Sequence, residues 1–182
     1  MRSFSKWIFT NVLGWKLNGV FPPLNKYIIA VVPHTSWHDF YLGVLVRSIV
    51  KTPMNYVAKK ELFDSPLGWY FRWSGGAPID RSKNNNTVDA VAELFEQRDE
   101  FRLAIAPEGT RKKVSNWKTG FYYIAKGANV PIVMVAFDYK NKEVRVAPPF
   151  YVSDDVEADF EFMYNYFSGV EGKIPEYSFT KE

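Results

Sequence analysis

The stretch Tyr27-Ile28-Ile29-Ala30-Val31-Val32-Pro33-His34-Thr35-Ser36-Trp37-His38-Asp39 decides how the chain is read. Tyr27 to Val32 is an unbroken apolar run of strand length, closed by Pro33. Phe40 to Lys51 reads as a helix, with Phe40, Val44, Leu45 and Ser48 as its expected inward stripe. A histidine and an aspartate five positions apart therefore sit where a strand hands over to a helix. In open α/β sheets that handover is where sites are built. With His34 just before the helix and Asp39 in its first turn, the carboxylate can fold back, fix the imidazole tautomer and stabilise its charged form. A structural reading stands beside this one. Ser36 and Asp39 also match the Ser-x-x-Asp capping box, and His34 is then an ordinary turn histidine.

The rest of the chain extends the strand–helix alternation. Met54 to Ala58 is a second short strand. Glu61 to Trp73 reads as helix broken at Ser65-Pro66, with aromatics that serve as core or as a wall for an apolar substrate. After Gly75-Gly76 the chain passes through Ala77-Pro78-Ile79-Asp80-Arg81-Ser82 to a helix capped by Asn86, with Val88, Val91, Leu94 and Phe95 inward. Phe101 to Ala106 is a strand ending in Pro107-Glu108-Gly109-Thr110-Arg111. Thr119 to Ala128 is a helix, Val130 to Phe137 and Glu143 to Ala147 are strands, and Asp154 to Phe167 is a helix with Phe160, Met163 and Phe167 on one face. The last dozen residues carry no period and read as loose. The pattern predicts one α/β domain over residues 26–182, a largely parallel sheet flanked by helices.

Residues 1–25 are set apart as a short amphipathic segment. On a helical wheel Phe4, Trp7, Ile8, Val12 and Trp15 share a face, opposite Arg2, Lys6 and Thr10. That face suits a membrane interface or packing on the domain. Pro22-Pro23 ends it.

Composition narrows the chemistry. With 182 residues there is room for a proper core. The chain has no cysteine, which excludes disulfides, thiolate metal sites and a thiol nucleophile. The net charge of +3 hides an asymmetry: residues 1–150 hold 21 basic and 12 acidic groups, residues 151–182 hold 2 and 8. A basic body suits anionic partners. No run approaches the roughly 18 apolar residues that span a bilayer, and no cleavable signal pattern is evident.

Two further motifs carry anion chemistry. Arg81, with Ser82 and Lys83 beside it, can hold a phosphate through forked, charge-assisted bonds, or simply pair with Asp80. In Pro107 to Arg111, Gly109 permits close backbone approach, Thr110 and Arg111 offer donors, and Glu108 can anchor Arg111 or a substrate hydroxyl. A strand-end turn with an internal ion pair is the structural alternative.

Taken in order, these blocks resemble those of the glycerophosphate/lysophosphatidate acyltransferase family. His-x-Ser-x-x-Asp matches His34, Ser36 and Asp39. Gly-x-x-Ile-Asp-Arg matches Gly76, Ile79, Asp80 and Arg81. Pro-Glu-Gly-Thr-Arg matches Pro107 to Arg111, and Val-Pro-Ile-Val matches Val130 to Val133. Pro33, Ala106 and Met134 depart from common family residues without removing a reactive group.

The resemblance implies that His34 deprotonates an acceptor hydroxyl, Asp39 orients His34, and the oxygen attacks an acyl thioester directly. The co-substrate would be acyl-CoA or an acyl carrier protein, with no cofactor and no metal. Arg81, Glu108, Gly109, Thr110 and Arg111 would hold the acceptor, supported by Ser36, Ser82 and Lys83. The acceptor would be a lysolipid, 1-acyl-glycerol-3-phosphate or a lyso-aminolipid. The resemblance further implies a peripheral protein on the cytoplasmic face of a membrane, with no nucleic-acid partner.

Two other classes compete. His34 and His38 are four apart and Asp39 adjoins them, as in a metal-dependent hydrolase, although a His34 lying before the helix spoils that spacing. A non-catalytic lipid- or nucleic-acid-binding module suits the basic excess but gives no reason for a His–Asp pair.

Overall fold

The computed structural model describes residues 2–79 and 87–180. The expected phosphate clamp Arg81, Ser82 and Lys83, its neighbour Asp80 and the cap Asn86 lie outside the described residues. Helix α1 (Arg2–Trp7) runs into a π-helical turn (Ile8–Val12), then strands β1 (Lys16–Asn18) and β2 (Lys26–Val32), helix α2 (His38–Val50) and strand β3 (Tyr56–Lys59). The short helices α3 (Lys60–Phe63) and α4 (Gly68–Trp73) follow, separated at Ser65-Pro66 as expected, and then β4 (Gly76–Ile79). The second half holds α5 (Thr87–Gln97), β5 (Phe101–Ile105), α6 (Gly120–Ala128), β6 (Ile132–Asp138), β7 (Glu143–Val146), α7 (Val156–Phe167) and a 3-10 turn (Pro175–Tyr177).

The main sheet has the order β1-β7-β6-β2-β5. Every pairing in it is parallel except β6 with β7. Strands β3 and β4 form a separate parallel pair. Asn55 ties that pair to the β5 edge by backbone bonds to Arg102 and Ala104.

Period-two alternation sorts the core into two layers. From β2, Ile28, Ala30 and Val32 join Ile132, Met134 and Ala136 of β6 under α5, α6 and α7. The intervening Tyr27 and Ile29 join Val133, Val135 and Phe137 under α2 and the N-terminal segment. Both faces of the central strands are thus covered, which is why they read as continuous apolar runs.

Three expectations are corrected. Helix α2 buries Leu42, Val46 and Ile49, while Phe40 and Val44, expected in the core, face outward. The helix is apolar on both sides, so a wheel has no polar face to orient it. In the N-terminal segment the expected apolar face divides: Trp15 packs on the domain while Phe4, Trp7 and Val12 are exposed, and Phe9, absent from that face, is buried beside Trp15. The π turn has its Leu13 N–H bonding to Ile8 O and advances the chain more slowly than 100° per residue, shifting the phase of the wheel. The tail through Thr180 is not loose. Phe179 is buried against Trp117 and stacks on Tyr164, and Ser178 accepts a bond from Gly172 N–H.

Candidate active site

The chain leaves β2 toward α2 on one face of the sheet, and leaves β5 toward α6 on the other. The adjacent parallel strands β2 and β5 therefore part company at their carboxyl ends, the crevice where open α/β sheets build sites. His34 lies at one lip of it and Glu108 at the other.

Asp39, in the first turn of α2, is the hub. Its Oδ2 lies 3.0 Å from His34 Nδ1 and accepts the N–H groups of Thr35 at 3.0 Å and Ser36 at 2.9 Å. Its Oδ1 accepts the Tyr139 hydroxyl at 2.7 Å. The bond from Ser36 N–H is one half of a capping box. The other half is missing, because Ser36 Oγ turns to His38 Nδ1 at 2.8 Å instead of Asp39 N–H. The same carboxylate thus serves the helix start and the histidine.

The Asp39 side chain is 2% exposed and that of His34 is 28% exposed. With Nδ1 engaged, His34 has Nε2 left for a substrate. His38 is exposed, and its Nδ1 is taken by Ser36. Among the described residues no group of three His, Cys, Asp or Glu side chains could hold a metal ion.

Glu108 takes a different place from the one expected. It is 2% exposed, and its Oε2 accepts the His34 backbone N–H at 2.6 Å. Burial pushes its carboxyl up to about 7, against the smaller opposing pull of the bond to His34. It makes no ion pair with Arg111. The geometry makes Glu108 a brace for the histidine turn rather than an open acceptor contact. Gly109, Thr110 and Arg111 are exposed on the loop beyond it, with Gly109 at φ 65°. There a Cβ would meet the Lys118 side chain at 3.1 Å.

Two residues of this site escape a reading of motifs. Tyr139 directly follows β6, the strand next to β2, so the rule that sites gather at strand ends points to its position. Burial, and then the bond to Asp39, push its hydroxyl above its ordinary range, so it remains a donor. Thr35 is buried and its Oγ1 accepts the Ile174 N–H at 3.2 Å, which ties the chain's tail to the site turn. No local pattern announces that contact. A cavity of about 630 Å³ adjoins Tyr139, walled by Trp15, Trp37, Tyr41 and Leu45, with Lys140 and Lys173 at its rim.

Comparison with known proteins bears out the family resemblance. Residues 19–138 match the family model described as Acyltransferase. The chain is 30% identical over 133 residues to the 1-acyl-sn-glycerol-3-phosphate acyltransferase of Saccharomyces cerevisiae, covering 69% of this chain and 42% of that protein. It is 30% identical over 125 residues to the Salmonella typhimurium protein of the same name, covering 65% and 49% respectively. The matched region thus spans less than half the length of these curated relatives. The crystal structure of the 1-acyl-sn-glycerophosphate (LPA) acyltransferase PlsC from Thermotoga maritima superposes with a TM-score of 0.62 at 19% identity, over 91% of this chain and 74% of that one. At that identity the likeness is one of fold.

Proposed function

The chain belongs to the acyltransferase family, and from that premise we propose that it moves a fatty acyl group from an acyl thioester to the free hydroxyl of a lysophospholipid. We take 1-acyl-glycerol-3-phosphate as the acceptor, after the names of its relatives. The thioester is acyl-CoA or an acyl carrier protein, and the membrane carrying the acceptor is met from its surface.

The observation that carries the proposal is the His34–Asp39 bond of 3.0 Å within a four-donor cradle around the carboxylate. Asp39 holds Nδ1 as the protonated nitrogen, which leaves Nε2 as the basic one. In the proposed step the acceptor O–H gives its proton to Nε2 as its oxygen attacks the thioester carbonyl carbon. The C–S bond then breaks, and the leaving sulfur takes the proton back from the imidazolium. The products are an ester and a free thiol. Asp39 stabilises the imidazolium while it lasts. Arg111 and Thr110, exposed beyond Glu108, are donors for the acceptor's phosphate, and the sequence adds Arg81, Ser82 and Lys83 to that clamp. Ser36 holds His38 and shapes the turn.

The test is release of free thiol by purified protein given thioester donors and a panel of lysolipids, including a lyso-aminolipid. His34→Ala should keep the fold and lose turnover on the order of a hundredfold or more, the usual worth of a general base. Asp39→Asn should fall by a similar order, and His38→Ala should be mild. A dead His38→Ala beside an active His34→Ala would overturn the assignment. Absence of turnover with every lysolipid would overturn the reaction.

A further inference from the structure

Helix α2 is apolar on the side away from the core as well as on the side toward it. Trp37, Phe40, Tyr41 and Val44 recur at the three-and-four spacing of one helical face, and all four are exposed. No charged side chain interrupts that face between His38 and Arg47. A second ridge stands on α4, where Trp69, Tyr70 and Trp73 are exposed and no acid is present. Phe4 and Trp7 project from α1. Neighbouring residues of α2 tie both flanking helices to it. Ser48 Oγ lies 2.8 Å from Ser5 Oγ of α1, and Arg47 Nη1 donates to Ser74 O, just past α4, at 2.6 Å. Among the described residues every exposed tryptophan (Trp7, Trp37, Trp69 and Trp73) belongs to this three-helix group, each more than half exposed.

We propose that the outward face of α2, together with the α4 ridge, is the surface by which the protein lies on an anionic lipid bilayer. Exposed apolar patches of this kind mark a contact surface. Three observations select a lipid surface as the occupant. Trp and Tyr, with an apolar ring and a polar edge, are the side chains that settle at the headgroup boundary. Residues 1–79 hold nine basic against three acidic residues, and one of those acids, Asp39, is buried under His34. That net charge around the apolar face is complementary to anionic headgroups, whereas a second copy of this basic region would repel it. No described helix is long and apolar enough to cross a membrane, so contact through these helices is shallow. Trp37 stands three residues from His34, so the face that meets the lipid borders the site. The acceptor can then enter from the bilayer plane, a consequence that rests on the lysolipid reading. The surface itself does not.

The experiment uses the full chain with two pairs of substitutions, Phe40→Ser with Val44→Ser and Trp69→Ser with Trp73→Ser. Binding is read by co-sedimentation with phosphatidylcholine vesicles, with and without phosphatidylserine. Each pair should lower binding to anionic vesicles by about tenfold or more, with melting temperatures preserved because all four positions are exposed. Binding should also weaken as salt rises. The Trp69/Trp73 pair should leave turnover of a short-chain, monomerically soluble lysolipid within about twofold. Unchanged vesicle binding in both pairs would overturn the proposal. So would a concentration-dependent dimer that these substitutions dissociate, since a second copy would then cover the face. If the wild type binds vesicles through these residues yet turns over no lysolipid, the surface stands and the reaction falls. If it turns over lysolipid while neither pair alters vesicle binding, the reaction stands and the surface falls.

Discussion

At the scale of single residues, the site is organised by how a buried carboxylate is shared. Asp39 receives His34, two backbone N–H groups and the Tyr139 hydroxyl. Tyr139→Phe would leave Asp39 Oδ1 buried without its donor. A charge-assisted bond is worth roughly 1.5–3 kcal/mol, so turnover should fall about ten- to a hundredfold with KM nearly unchanged, as measured by steady-state thiol release. Glu108 gives a prediction of a different kind. Its carboxyl rises from the ordinary 4.5 to about 7 in the fold. Between those values the unfolded chain has released the proton and the folded chain still holds it. Stability is therefore greatest at the acid side and falls as pH rises through the window, by about 3 kcal/mol in total. Glu108→Gln keeps an oxygen to accept the His34 N–H and removes the titration. Urea midpoints measured from pH 4.5 to about 7 should fall for the wild type and stay flatter for the variant. Parallel curves would show that Glu108 is not the group responsible.

At the scale of elements, the N-terminal segment is the instructive case. Phe9 is almost wholly buried beside Trp15, in the layer that β2, β6 and α2 share. Phe9→Ala should therefore cost about 3–5 kcal/mol in denaturant unfolding, while Phe4→Ala, at an exposed position, should stay within about 0.5 kcal/mol. Similar small costs for both would mean that the segment is not docked. A wheel drawn at 100° per residue cannot find Phe9, because the π turn from Ile8 to Val12 breaks that period. The same wheel fails on α2 for the opposite reason: the period is regular, but apolar residues occupy both faces. The clearer elements are legible because only one reading buries them. In β2 and β6 both faces are covered, and in α5 the buried Val91 and Phe95 oppose the exposed Asp89 and Glu96.

At the scale of the molecule, what is legible in the site depends on sequence distance. His34 and Asp39 are five apart, so a strand-to-helix turn suffices to bring them together. Glu108 meets His34 across 74 residues and Tyr139 meets Asp39 across 100. Those contacts exist only because β2 lies between β5 and β6, an order that periodicity does not encode. The tail is the extreme instance. Pro175, Gly169 and Gly172 erase any pattern in it, yet Gly172 packs so closely on Thr35 that an added Cβ would lie 2.6 Å from its hydroxyl oxygen. This strap carries a consequence for how the protein is made. The histidine turn is translated before Gly172 and Ile174, which press on it, and Ile174 follows Thr35 by 139 residues. At ordinary synthesis rates that interval is on the order of ten seconds. Throughout most of it the nascent chain carries His34 and Asp39 without the full set of braces at Glu108, Tyr139 and Ile174. The site is thus withheld until Ile174 has been added to the chain.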